Sequence, residues 1–171
     1  GTRYVASGYR LPGTADVGLV AYSGDGVAWT TVNIPNGSAR FFSVAYGAGR
    51  FVAVGEAGSI YSSTDGSTWA AAPTPATGSL YRAIFSDGLF VVCGANGRLL
   101  TSPDGINWTD RSLPTSGAML SVARYNNRWF TSLASTFTYS SPDAVAWTRV
   151  PAAPGISEDF IYQLTVTAGV L

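Results

Sequence analysis

A repeat of about 40 residues is the feature that most limits the folds open to this chain of 171 residues. Four segments share the pattern Ser-x-Asp-x-x-x-Trp, here called the box. Chance does not keep three residue types in phase over four copies at a near-constant spacing. A unit this short cannot bury its own apolar face, so the units must stack on one another. The box residues are Ser23, Asp25 and Trp29, Ser63, Asp65 and Trp69, Ser102, Asp104 and Trp108, and Ser141, Asp143 and Trp147.

Each unit is predicted to contain four short strands, labelled A to D in chain order. Runs of four to seven residues rich in aromatic and β-branched types are bounded by turn residues, which is typical of strands. Sequences such as Asp87-Gly88 and Asn126-Asn127 suit tight hairpins between strands A and B. No segment has helical periodicity. Four antiparallel strands repeated about every 40 residues predict the blade of a β-propeller.

The two ends of the chain complement each other in this scheme. Residues 3–8 align with strand B, so the first unit lacks strand A, whereas residues 160–166 align with strand A and have no B, C or D after them. We therefore predict one all-β domain, 1–171, a propeller of four blades closed by pairing of the C-terminal strand with the N-terminal blade, which removes a free sheet edge. The predicted units are 1–32 with 160–166, 40–72, 80–111 and 119–150. The alternative is a larger ring, shared between two chains or formed with further parts of a longer protein.

The box resembles the Asp-box, or bacterial neuraminidase repeat, found in sialidases and in many propellers that are not enzymes. The resemblance extends over nearly the whole chain and implies the fold rather than an activity. Residues 44–55 are also similar to repeats of phage tail and virion proteins and of bacterial surface proteins. These resemblances imply a binding or structural module at a virion surface or outside the cell.

The residues of the box have physical roles that need no ligand. Each aspartate can accept hydrogen bonds from backbone N–H groups of its own turn. Each tryptophan can bury its ring against its own blade. Glycine follows the aspartate in three boxes and permits a positive φ, but Ala144 stands there in the fourth, so we expect a strained or altered turn. Because each box carboxylate stands alone, we expect no metal site.

Composition excludes several functional classes. The chain has no histidine, and its ten basic residues, all arginine, balance ten acidic ones. Without histidine or lysine there is no Ser–His pair, ordinary zinc site or Schiff-base lysine. No basic stripe is available for nucleic acid and no apolar run is long enough to insert into a membrane. We expect neither a cofactor nor catalysis.

A sialidase-like glycosidase is the enzymatic alternative. The resemblance implies three arginines that hold the substrate carboxylate, a Tyr nucleophile assisted by Glu, and an Asp acid. Glu56 and Glu158 are the only glutamates, and no Tyr–Glu pairing can be identified. A pair of carboxylates across a cleft, such as Asp16 with Glu56 or Asp159, stays open as a glycosidase arrangement.

We predict that ligands bind at the B–C and D–A loops, which share one face of a propeller, while the A–B hairpins and boxes share the other. The first B–C loop, residues 8–18, is longer than the others, and it carries aromatic and charged side chains suited to recognition. The D–A loops are 33–38, 73–79, 113–118 and 151–159. The expected partner is a glycan or a protein surface, including a second copy or a virion neighbour. The candidate residues are Tyr9, Arg10, Asp16, Arg40, Glu56 and Arg82, with Glu158 and Asp159 flanking a loop.

Overall fold

The computed structural model describes residues 3–10, 17–34, 40–134 and 137–150. Within these ranges the chain forms fifteen β-strands and no α-helix, and the segment Glu56–Gly58 forms a single 3₁₀ turn. No helix in this part of the chain is long and apolar enough to cross a membrane. The strands are β1 Tyr4–Arg10, β2 Val17–Ser23, β3 Thr30–Asn33, β4 Phe41–Gly47, β5 Arg50–Gly55, β6 Ile60–Ser63, β7 Ala70–Ala71, β8 Leu80–Ser86, β9 Leu89–Gly94, β10 Leu99–Ser102, β11 Thr109–Asp110, β12 Met119–Tyr125, β13 Arg128–Leu133, β14 Thr138–Ser141 and β15 Thr148–Val150.

The strands form four antiparallel sheets in which neighbours along the chain are neighbours in the sheet. Blade 1 contains β1–β3, blade 2 contains β4–β7, blade 3 contains β8–β11 and blade 4 contains β12–β15. Blade 1 has strands B, C and D in the described residues, and the other blades have all four strands. The predicted all-β architecture of four propeller blades is confirmed. The strand predicted at 160–166 to complete blade 1 lies outside the described residues.

The A–B hairpins have the predicted tight turns. Two successive residues adopt positive φ in each, for example 50° at Asp87 and 75° at Gly88, and 45° and 58° at Asn126 and Asn127. This pair of left-handed residues defines a type I′ turn, whose twist matches that of the flanking strands. The register across the hairpin places Phe85 opposite Phe90.

The apolar core lies between the sheets. Each blade has a leading face toward the preceding blade and a trailing face toward the next, and successive residues of a strand point to alternate faces. In β5, Phe51 packs toward blade 1 and Val52 packs toward blade 3. Three apolar clusters result, one per junction. They contain Val20, Ile34, Phe41, Phe51 and Trp69 between blades 1 and 2, Val52, Val54, Ile60, Leu80, Phe90 and Leu100 between blades 2 and 3, and Val91, Cys93, Leu99, Met119, Trp129 and Leu133 between blades 3 and 4.

The box glycines allow neighbouring blades to approach closely. A Cβ on Gly105 would lie 2.7 Å from Val52 Cγ2 of blade 2, and one on Gly66 would lie 2.9 Å from Val5 Cγ2 of blade 1. Both glycines have positive φ, 71° and 72°. Gly26 of blade 1 has φ 78°, but its Cβ would meet only its own Tyr4, at 3.8 Å.

The fourth box accommodates alanine at this position. Ala144 keeps the left-handed conformation of the box glycines, with φ 60°, which is the strained one of the two expected outcomes, and its side chain is fully buried in the cluster between blades 3 and 4. Leu89 of blade 3 packs against the same cluster. It stands at the start of strand B, where blades 1 and 2 have an arginine, Arg3 and Arg50. Burial of the methyl group offsets part of the cost of the left-handed backbone, about 1–2 kcal/mol.

Alanine at two equivalent box glycines is expected to have unequal effects. Gly105→Ala adds overpacking to backbone strain and should lower the free energy of unfolding by about 2–4 kcal/mol. Gly26→Ala meets only Tyr4 of its own blade in the single chain, where it should cost about 1–2 kcal/mol from strain alone. Urea unfolding of both variants against the wild type measures the difference, and equal losses would contradict the role of the preceding blade.

Candidate functional site

The four boxes share one hydrogen-bond arrangement, which confirms the role predicted for their aspartates. In the second box, Asp65 Oδ1 accepts the backbone N–H groups of Ser67 and Thr68 at 2.8 and 2.7 Å and the Ser63 hydroxyl at 3.0 Å. The other three boxes repeat these contacts between 2.8 and 2.9 Å. The box aspartates therefore hold their own turns.

These contacts also change the acidity of the box aspartates. Donation by two backbone N–H groups favours the ionised carboxylate and lowers the pKa of all four aspartates from the ordinary value. The serine hydroxyl adds to this effect. No cluster of three or more His, Cys, Asp or Glu side chains that could hold a metal ion occurs in the part of the chain that the structure describes.

Three of the predicted ligand-binding residues meet where the B–C and D–A loops of blades 1 and 2 adjoin. The Arg40 guanidinium carbon lies 4.8 Å from the centre of the Tyr9 ring, and Arg40 Nε lies 3.6 Å from Glu56 Oε1. The Arg40 backbone N–H also donates to Glu56 Oε2 at 3.1 Å. All three side chains remain substantially exposed, so the cluster presents an aromatic face, a cation and an anion to solvent.

A β-bulge at the start of each A strand adds aromatic surface to the same rim. The register shifts between Phe41 and Ser43 and between Leu80 and Arg82, which re-aims the residue between. These residues are Phe42, which is exposed, and Tyr81, with ring centres 5.8 Å apart. The predicted site residue Arg82 is also exposed, but it pairs with Cys93 and therefore lies on the face of blade 3 toward blade 4, away from this cluster. We call Tyr9, Arg40, Phe42, Glu56 and Tyr81 the rim patch.

The remaining predicted site residues are not placed in the patch. Arg10 ends β1, where its backbone pairs with Val17, and its side chain is not described. Asp16, Glu158 and Asp159 lie outside the described residues, as do the loop 151–159 and most of the first B–C loop.

A groove at the junction of blades 2 and 3 is a feature that the sequence did not predict. It encloses about 300 Å³ and is lined by Pro73, Thr74, Pro75, Ile106, Asn107 and Trp108. Because β7 has only two residues, the following D–A segment begins close to the next blade's box. The groove therefore brings a D–A loop and a box together at this junction.

Trp108 differs from the other box tryptophans. The indole N–H of Trp29, Trp69 and Trp147 donates to the carbonyl three residues earlier, at 3.1 to 3.2 Å. The buried Trp108 Nε1 has no acceptor among the residues that the structure describes. The pattern of the box gives no signal of this difference, since the third box keeps every shared residue.

The fold resembles those of β-propeller-like proteins. YCF48 bound to a D1 peptide has a TM-score of 0.64 at 20% identity, over 81% of this chain and 48% of that chain. Virginiamycin B lyase from Staphylococcus aureus gives 0.68 at 12%, over 77% and 48%. The computationally designed protein Ika4 gives 0.62 at 13%, over 80% and 86%. No protein family matches the sequence, and no curated protein is significantly similar to it.

These likenesses establish the fold and leave the activity open. The chain spans about half the length of YCF48 and of the lyase. One of these neighbours is bound to a peptide and another is named as an enzyme, so a shared architecture supports different functions.

Lowering the pH should remove the stabilisation that the box carboxylates give to the folded chain. Their lowered pKa stabilises the folded chain above about pH 4, the ordinary value for Asp, and this contribution is lost as the pH falls toward the folded-state pKa. The double variant Asp65→Asn/Asp104→Asn weakens the hydrogen bonds of two boxes. Each hydrogen bond lost costs about 1 kcal/mol, which should lower the melting temperature at pH 7 by about 2–4 °C. The variant's difference from wild type should shrink below pH 4, as measured by circular dichroism melts; a difference independent of pH would contradict this role.

Cys93 is expected to be chemically inert in the folded protein. Burial raises the pKa of its thiol to about 12, because the thiolate would lose its hydration between blades 3 and 4. Titration with a thiol reagent at pH 8 should detect no reactive thiol in the native protein and one equivalent after guanidinium unfolding. Rapid native labelling would show that this junction opens.

Proposed function

We propose that this chain is a non-catalytic recognition module that binds an exposed segment of a protein partner through the rim patch. The observation that carries the proposal is the Tyr9–Arg40–Glu56 cluster, in which side chains from two blades are ordered against each other while still exposed. Arginine and tyrosine are the residue types that most often dominate protein interfaces.

The arrangement of the patch suits a peptide that carries an acidic side chain. The exposed Arg40 guanidinium lies between the Tyr9 ring and Glu56, where it can pair with an acidic side chain of the peptide. Phe42 and Tyr81 supply apolar surface beside these charges. Stacking on Tyr9 and pairing with Glu56 restrict the conformations of Arg40 in the free protein, which lowers the entropy cost of binding. The peptide bound to YCF48 is a precedent within the same fold.

Membership of the Asp-box repeat proteins is part of this proposal, supported by the four boxes and their common hydrogen bonds. The resemblance of residues 44–55 to virion repeats supports a virion or cell-surface setting. In that setting the partner would be a neighbouring structural protein. A glycan is the other ligand class, since tyrosine and phenylalanine rings can stack on sugars.

The assignment as non-catalytic rests on how the described acidic groups are used. The box aspartates accept bonds from their own turns, and Glu56 accepts from Arg40. A carboxylate that acts as a general acid needs a raised pKa, whereas the box carboxylates have a lowered one.

Peptide and glycan arrays probed with the same labelled protein test the proposal. We expect binding to peptides enriched in acidic and apolar residues, with Arg40→Ala and Tyr9→Ala each weakening it about tenfold or more, as substitutions of interface anchors do. Arg128→Ala and Tyr125→Ala, on the hairpin side of blade 4, are matched controls and should bind as wild type does.

Three results would overturn it. Glycan binding without peptide binding would replace the proposed ligand class. Equal losses in the patch and control variants would place the site elsewhere. Hydrolysis of an arrayed glycan would show that the chain is an enzyme.

A further inference from the structure

Among the residues that the structure describes, no blade packs against the first box on the leading face of blade 1, whereas this face is covered in the other blades. Tyr4 is 48% exposed, whereas its counterparts Phe51, Phe90 and Trp129 are 8%, 0% and 2% exposed. Trp29 is 45% exposed, whereas Trp69 of the second box is 7% exposed. Tyr4 and Trp29, two large aromatic side chains beside the first box, thus form an exposed apolar surface.

The contacts of the box glycines show the same difference between blade 1 and the blades that follow it. Residues of the preceding blade would lie within 3 Å of a Cβ on Gly66 or Gly105, but a Cβ on Gly26 would meet only Tyr4 of its own blade. None of the described residues of blade 4 fills this position, so blade 4 of the same chain does not pack there as blades 1 and 2 pack on the boxes that follow them.

The four sheets superpose on about half of the YCF48 and virginiamycin B lyase chains. A set of blades that matches part of a larger propeller leaves its first leading face available for another blade. In the three junctions of this chain, a leading face is covered by the trailing face of the blade before it. We therefore expect a trailing face to cover blade 1 as well.

We propose that a second copy of this chain covers the leading face of blade 1 with the trailing face of its blade 4, and that two such contacts close one ring of eight blades. Phe130 takes, in blade 4, the strand position of Val52 and Val91, which face the next blade. This contact continues the interface between consecutive blades, and closed two-fold assemblies are the commonest among soluble homo-oligomers. The inference does not depend on the rim patch or its ligand.

Mass in solution is the first test. Light scattering on a sizing column should give twice the chain mass of 17.8 kDa. Tyr4→Glu places a charge in the proposed interface, where Tyr4 is half-exposed in the single chain and tolerates a polar residue, and should yield a folded species of 17.8 kDa. Val145→Glu is the matched control, because Val145 is 48% exposed in the fourth box, which packs on blade 3 of the same chain, and this variant should keep the doubled mass.

Disulfide trapping identifies the surfaces in contact. A chain with Gly26→Cys is mixed with a separately purified chain with Phe130→Cys, both also carrying Cys93→Ser. We expect a covalent heterodimer under mild oxidation, and none when the partner chain carries Val145→Cys in place of Phe130→Cys.

Each other outcome overturns the proposal. A wild-type mass of 17.8 kDa would mean that the ring closes within one chain or that this face has another occupant. A doubled mass without the cross-link would place the dimer contact elsewhere. A mass of three or more chains would exclude a ring of two.

Discussion

The structure depends on the burial of each sheet between two neighbouring sheets. A four-stranded sheet has two faces and cannot cover either of them, so each strand B contributes side chains in both directions. Phe51 faces back and Val52 faces forward, and both are buried. Stability therefore accumulates junction by junction, as in other repeat proteins. The first blade supports the same principle, because Tyr4 and Trp29 have no such neighbour among the described residues and are exposed in the single chain.

The boxes make these junctions possible. The aspartate of each box holds its turn by accepting backbone N–H groups, which leaves a glycine at the point where the preceding blade approaches. Four carboxylates at regular spacing are thus part of the scaffold, and their lowered pKa reflects this role. The opposite rim carries no such constraint, and its loops differ in length and composition. Recognition on a rigid scaffold is commonly assigned to loops of this kind.

Sequence reasoning found three of the five rim-patch residues by residue type and loop position. It named Tyr9, Arg40 and Glu56, but it gave no reason for them to meet. They meet because the end of strand B in blade 1 lies beside the start of strand A in blade 2. Phe42 was missed because its exposure follows from a β-bulge, and a bulge is a property of the register between two strands.

The number of blades, the strand order, the hairpin turns and the hydrogen bonds of the box were determined by the sequence alone. Each arises from contacts within a few residues, such as Asp65 with Ser67 and Thr68, and local chemistry repeats wherever the motif repeats. The tertiary structure decided which aromatic side chains are buried, which charges meet at the rim and why Trp108 lacks the bond made by its counterparts. These outcomes depend on how one sheet packs against the next, and that packing joins residues about 40 positions apart, as in the bond between Ser43 and Ala83.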